Sequence, residues 1–333
     1  MGHRPATAKD YIQALRLQNS MLTALALSLP VLIARPQFDV YVLLLLLDGF
    51  LLNSAASIHN NICDFSYDLR VNYTSERVVG TIIPMGKAKA LYAVVLGLAT
   101  FLGLMFICFN PFGPSYNVWA LVAFLFTMGI VSLYNVVGKT HWIWGICISL
   151  GIGSLVWFGA LLTGSVDNVD YFIMLYLAFQ SGFMQNLEGG LKDVATDVSN
   201  MAASLGVRVK GNDLHISGAF AALTWLTKAA MTALVIWIMY ETIGLVHPIA
   251  IFEYLLTVLS CVVAQRLLSF RKFERAKIIR FFGFHEALMW VMLPVFLYTY
   301  IGIWLTLFAA FLPLVFYVIY NRSVHGTLLV PDI

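Results

Sequence analysis

Asp64 and Asp68 stand four residues apart in the run His59-Asn60-Asn61-Ile62-Cys63-Asp64-Phe65-Ser66-Tyr67-Asp68, directly after a long apolar stretch. On a helix that spacing puts both carboxylates on one face, about 40° apart and one turn along the axis. Asn60 adds an amide one turn earlier. Two carboxylates and an amide aimed at one point suit a hard divalent cation, which takes oxygen ligands and tolerates retained waters. The arrangement recurs at Lys192-Asp193-Val194-Ala195-Thr196-Asp197, again at the end of an apolar stretch, where Asp193 and Asp197 repeat Asp64 and Asp68 at one constant offset of 129 residues. One D-x-x-x-D is weak evidence, whereas two at matching places are strong.

Four carboxylates near one mouth repel one another unless cations occupy the site. Arg77 and Lys192 place positive charge beside them, with Lys139 and Arg208 as further candidates. Alternating anions and cations suit a metal–diphosphate complex, in which carboxylates hold Mg²⁺ and the metals bridge phosphate oxygens. Loss of diphosphate from an allylic carbon would then be assisted by electrostatic stabilisation of the leaving group. The cation left behind needs a water-poor pocket lined with π faces. Phe50, Trp119, Trp142, Trp144, Trp157, Phe158 and Phe183 lie inside apolar stretches, although lipid contact or an interfacial belt explains any one of them as well.

The chain that must position these residues has 333 of them, 60% hydrophobic and 11% charged, with a mean hydropathy of +0.84. A soluble protein carries about 25% charged residues. The composition therefore describes an integral membrane protein, and apolar stretches of about twenty residues indicate helices rather than a barrel. A formal charge of +3 is too small to imply nucleic-acid binding. Cys63, Cys108, Cys147 and Cys261 show no metal or disulfide spacing. Residues 1–16 are polar, so no cleaved signal peptide is expected.

Hydropathy predicts spans near 17–34, 38–58, 88–109, 117–137, 142–163, 170–190, 216–240, 246–265, 282–299 and 302–320, nine or ten helices depending on whether the last two are separate. They form a single membrane domain over 1–333, with 1–16 as an N-terminal segment and 59–87 and 191–215 as long polar loops carrying the motifs. With ten helices, every Lys and Arg except Arg35 and the intramembrane Lys228 falls on the side of the N-terminus. The positive-inside rule then puts the N-terminus and both motifs in the cytoplasm. The equal spacing of the motifs also suggests that helices 1–4 and 5–8 are a diverged duplication.

Several ionisable residues have plainer readings. Asp48, inside the second span, is either functional or a hydrogen-bond partner of a neighbouring helix, and Lys228 needs a partner that the sequence does not name. His59 reads as an interface residue. His285 and Glu286 open the helix starting near 282, where capping and pairing with the basic segment 266–280 account for them. That basic segment reads as a topology determinant and anionic-lipid contact.

The residues carry a family resemblance. Asn60-Asn61-Ile62-Cys63-Asp64-Phe65-Ser66-Tyr67-Asp68 resembles the N-D-x-x-D-x-x-x-D signature of the UbiA-type intramembrane prenyltransferases. Lys192 to Asp197, with Ser204-Leu205-Gly206-Val207 after it, is similar to their second motif. Arg16 with Asn19 resembles the family's opening R-x-x-N, and Tyr134 with Lys139 its Tyr/Lys turn before helix five. The resemblance runs from Arg16 to about helix nine. It implies an all-α bundle around a central cavity open to the cytoplasm and the lipid, Mg²⁺ bound by Asp64, Asp68, Asp193 and Asp197, and a polyprenyl diphosphate donor. It also implies transfer of the prenyl group to a lipophilic acceptor, with Asn60, Arg77 and Lys192 at the reacting diphosphate and Arg16, Asn19, Asn61, Tyr134 and Lys139 binding substrate. Asn61 replaces the family's usual Asp, and the usual R-P-(L/I)-P-x-G is degraded to Arg77-Val78-Val79-Gly80-Thr81-Ile82-Ile83-Pro84-Met85-Gly86. The acceptor cannot be read from these loops. Competing readings are a diphosphate-ionising cyclase or lipid-phosphate transferase of the same fold, a catalytically inactive member, and an ion or solute transporter.

Overall fold

The computed structural model describes residues 4–70, 78–113, 116–138, 140–197 and 199–326, the side chains of Gln18, Asp68 and Arg70 excepted. A short helix α1 (Ala8–Ala14) precedes α2 (Ser20–Ala34), α3 (Val40–Arg70), α4 (Met85–Phe109), α5 (Asn117–Val137), α6 (Ile146–Leu162) and α7 (Asn168–Gly182). A π-helical turn, Phe183–Glu188, joins α7 to α8 (Gly189–Asp193). Next come α9 (Met201–Ser204), the hairpin β1 (Arg208–Lys210) and β2 (Asp213–His215), then α10 (Gly218–Thr242), α11 (Pro248–Leu268), α12 (Arg275–Phe296) and α13 (Tyr298–His325).

Eight helices among the described residues are long and apolar enough to cross a membrane; α2 is apolar but shorter. The protein is an integral membrane helical bundle. Its outer faces remain apolar, as at Phe101 and Val118 and at Leu255 and Trp304, because the bilayer replaces water there.

Helix α2 is the hub, with Leu25, Leu27, Leu29, Val31 and Leu32 buried in one cluster with Leu45, Phe124, Phe158, Phe172 and Phe296. Glycines set the spacing around it. A Cβ on Gly159 would stand 2.2 Å from the Leu27 carbonyl oxygen, and one on Gly49 2.7 Å from the Ala24 Cα. Small residues at helix crossings let backbones approach this closely in membranes.

Three boundaries differ from the sequence reading. The polar run 59–70, expected within a loop, continues α3, since it contains no Gly or Pro and His59, Asn60, Asn61, Asp64 and Tyr67 face a cavity instead of leaving the helix. Segment 191–215 is ordered by its own apolar cluster, in which Leu191, Val194, Ala202, Ala203, Val207 and Leu214 pack on Phe220, Leu267 and Ile278. Helix α12 starts at Arg275 rather than near 282, so His285 and Glu286 lie well inside it and do not cap it.

Candidate active site

Helix α3 presents Asn53, Asn60, Asp64 and Tyr67 at helical spacing along one cavity. The cavity holds about 620 Å³. The second aspartate segment faces it from the other side. Helix α8 ends at Asp193 and the chain turns through Thr196, so Lys192, Asp193 and Asp197 all reach the same space. The Tyr67 phenol donates to the Thr196 carbonyl at 3.3 Å and joins the two segments directly.

The second segment is fastened to α12 through Arg275. Arg275 Nη2 donates to Asp193 Oδ1 at 3.2 Å, and Lys192 Nζ stands 3.8 Å from Asp193 Oδ2. These groups are about 30% exposed, so the pairs add little stability and chiefly fix geometry. Deeper, His285 Nδ1 donates to Glu188 Oε1 at 2.6 Å. Lys228 Nζ donates to His285 Nε2 at 2.7 Å and to Ser260 Oγ at 2.7 Å, and lies 4.5 Å from the centre of the Phe183 ring. An ammonium can only donate, so Nε2 must accept and the imidazole proton sits on Nδ1, aimed at Glu188. This Glu–His–Lys chain supplies the partner that Lys228 needed. It also spans the π-helical turn, a local irregularity that often accompanies functional sites.

The N-terminal residues close one side. Arg16, at φ 47° and ψ 49°, occupies the left-handed region that costs a branched or long side chain strain. Its Nη2 donates to Asn61 Oδ1 at 2.7 Å, while Asn61 Nδ2 donates to the Ala14 carbonyl at 3.1 Å. Asn61 is 7% exposed and serves as a tether between α1 and α3. After the first segment, Gly80 at φ 83° lays the chain against Phe65, whose ring would lie 2.2 Å from any Cβ there. A left-handed backbone and a close aromatic both require glycine at that point.

Asn19, Tyr134 and Arg16 line the cavity with Asn60, Asn61 and Asp64. The Asp68 side chain, Arg77 and Lys139 lie outside the described residues. Arg208 is elsewhere: its guanidinium donates to the Ala203 and Val207 carbonyls in the segment leading into the hairpin. His59 lies on the cavity wall, where Asn135 Nδ2 donates to its Nδ1 at 3.3 Å and Tyr92 stacks on its ring at 4.9 Å. Asp48 and Glu253 are fully buried away from the cavity. Neither has a hydrogen-bond partner among the described residues, so the partner expected for Asp48 is not found there.

Arg275, Glu286 and Gln180 line the cavity without having been singled out for it. Arg275, Ile279, Phe282, Glu286 and Trp290 share one helical face, a spacing legible in the sequence once α12 is known to start at Arg275. Below the polar mouth the walls turn apolar, with Leu52, Leu96, Met128, Ile152, Leu155 and Leu177.

The donor set consists of hard oxygens. No group of three His, Cys, Asp or Glu side chains close enough to hold a metal occurs among the described residues, which exclude the Asp68 side chain. Mg²⁺ commonly takes one or two carboxylates and completes its shell with waters and substrate phosphates. Asp64 on one wall and Asp193 and Asp197 on the other fit an ion bound together with a phosphate ligand.

This is the fold of the UbiA-type membrane proteins. The chain is similar to a solved digeranylgeranylglyceryl phosphate synthase, with a TM-score of 0.62 and 16% identity over 89% of this chain and 99% of that one. It is likewise similar to the apo structure of a UbiA homolog from Aeropyrum pernix K1, with a TM-score of 0.61 and 17% identity over 84% and 97% of the two chains. No family model and no curated protein matches the sequence.

Proposed function

We propose that the protein is an Mg²⁺-dependent prenyltransferase that ionises a polyprenyl diphosphate and joins the prenyl group to a lipophilic acceptor, with its active site at the cytoplasmic face. What carries this reading is the meeting of both aspartate segments, through Tyr67 and Thr196, on one cavity that is polar at its mouth and apolar below. Such a cavity matches a ligand with a charged head and a hydrocarbon tail. The likeness in fold to a digeranylgeranylglyceryl phosphate synthase agrees with it.

Asp64 on one wall and Asp193 and Asp197 on the other, joined by Asp68, whose side chain lies outside the described residues, would hold the Mg²⁺ ions. When bound, these supply positive charge that neutralises the departing diphosphate. Arg275 and Lys192, which line the cavity, would bind the remaining phosphate oxygens together with Arg77, which lies outside the described residues, and the Arg275–Asp193 pair would orient both partners toward the head group. Asn60 and Asn19 offer amide donors at the mouth. The apolar lower walls hold the tail and keep water from the allylic cation. Buried away from the cavity, Asp48 and Glu253 do not form the file of acids that a transport path across the bilayer requires.

The test is incubation of purified protein with Mg²⁺ and radiolabelled prenyl diphosphates of several lengths against ring and hydroxyl acceptors. Prenylated product and released diphosphate in equal amounts are expected. Absence of both would sink the proposal, whereas diphosphate release with cyclised hydrocarbon would favour the cyclase.

A further inference from the structure

We propose that Glu286 is the proton acceptor for the acceptor substrate, an inference that rests on the prenyl-transfer reading. An acceptor attacking an allylic cation through a hydroxyl oxygen or an aromatic ring carbon must lose a proton as the new bond forms. The allylic C–O bond breaks with its electron pair leaving on diphosphate, the acceptor's pair forms the new bond to that carbon, and the displaced proton passes to the Glu286 carboxylate. Water at the open mouth then takes it away. No further reactant is needed.

Four carboxylates line the cavity among the described residues: Asp64, Asp193, Asp197 and Glu286. Asp193 is held by Arg275, and Asp197 accepts from the Ser199 amide and hydroxyl at 3.1 and 2.7 Å. Asp64 belongs to the head-group site. Glu286 has no hydrogen bond or ion pair among the described residues, so its oxygens are available to an incoming proton. Its depth also fits. His285, the preceding residue, bonds Glu188, which lies five residues before Asp193 on the facing segment. Five helical residues rise about 7.5 Å, so the level of α12 that carries His285 and Glu286 meets the facing segment about that far along it from Asp193. The buried Glu188–His285–Lys228 chain fixes the rotation of α12, which turns His285 into the protein and its neighbour into the cavity.

Other bases on the wall are less suited. His59 accepts from Asn135 through Nδ1, which leaves its proton on Nε2, so neither nitrogen is free to take another. Lys192 is a cation, and Tyr134 and Tyr317 are weak bases.

The experiment uses the full-length enzyme with Mg²⁺, geranylgeranyl diphosphate carrying ¹⁸O at the bridging ester oxygen, and an acceptor whose attacking atom carries a hydrogen, 4-hydroxybenzoate or a glyceryl monoether phosphate. Scrambling of the label into non-bridging positions reports ionisation, and prenylated product reports condensation. Glu286→Gln should keep scrambling within about threefold of wild type while condensation falls by about 100-fold or more, the scale of a lost general base. Retained scrambling also shows that the variant is folded. Glu286→Asp, which keeps the charge and draws it back, serves if Glu286→Gln does not fold, and should show the same split at about tenfold. Condensation near wild type in these variants overturns the assignment. Equal loss of scrambling and condensation in folded protein does so too, since Glu286 would then act on the diphosphate. A split seen in His59→Phe but not in Glu286→Gln moves the role to His59. Absence of scrambling and of product in the wild type instead overturns the prenyl-transfer reading itself.

Discussion

Tyr67 and Thr196, 129 residues apart, meet at 3.3 Å through a phenol and a backbone carbonyl. The separation equals the offset between the two aspartate pairs, so the contact joins equivalent positions of the repeated segments. Each of these residues directly precedes an acid, Asp68 or Asp197. The two matching segments therefore touch at corresponding positions.

Replacing Asp64 or Asp193 by Ala is expected to abolish prenyl transfer, a loss of about 1,000-fold or more, with little change in thermal stability. A lost metal ligand removes transition-state stabilisation, and neither carboxylate sits in the apolar core. Radiolabelled product formation and detergent-solubilised melting curves provide the check. Turnover within tenfold of wild type in both variants would show these acids to be dispensable.

Arg275→Ala and Lys192→Ala should weaken binding of a non-hydrolysable prenyl thiodiphosphate in isothermal titration by about tenfold each. A charge-assisted hydrogen bond contributes about 1.5–3 kcal/mol. Arg77→Ala should behave in the same way if its loop folds over the head group. Unchanged donor affinity in all three would leave these residues as topology charges.

Lys228→Met should destabilise the protein by about 3–5 kcal/mol, because it leaves Glu188 buried without a compensating charge. The double variant Lys228→Met/Glu188→Gln should recover part of that loss, since two neutral groups restore charge balance. Unfolding in mixed micelles measures both. A double variant no more stable than the single one would show that the chain does not act as a charge-balanced unit.

Asn61→Asp restores the residue usual in the resembling signature, yet it should not raise Mg²⁺ affinity. The amide at this position donates to the Ala14 carbonyl, and a carboxylate there faces that carbonyl with no proton to give. We expect a loss of about 1–3 kcal/mol and faster hydrogen exchange across α1. Tighter metal binding with an undisturbed α1 would contradict the tether.

At the N-terminus, two Arg4 hydrogen bonds at 2.6 and 2.7 Å, with further donors from Thr7, hold the Asp10 carboxyl well below the usual carboxylate range. A depressed folded-state pKa stabilises fully above the unfolded value of about 3.9 and is lost as pH falls through the lower folded value. Residues 4–16 should thus stay docked from pH 5 to 8, as order-of-magnitude bounds, and loosen in more acid solution. Exchange rates corrected for intrinsic pH dependence would show this, and Asp10→Asn should remove the acid transition.

How much of this was legible before folding follows from range. Membrane class, helix type and the two aspartate segments rest on local properties, because a bilayer demands long apolar runs and a metal site demands closely spaced acids. Repetition at one offset also suggested a diverged duplication of helices 1–4 and 5–8. Helix ends within polar runs were not legible: 59–70 reads as loop until a cavity gives its polar side chains a destination, and α12 loses its first turns to the basic segment. The roles of His285, Glu286 and Lys228 were out of reach for the same reason. His285 and Lys228 are 57 residues apart and His285 and Glu188 97, and nothing local records a contact that only packing creates. The tertiary structure alone decided which side of α12 faces Glu188 and which faces the cavity, because a helix's rotation is set by the neighbours that bury it.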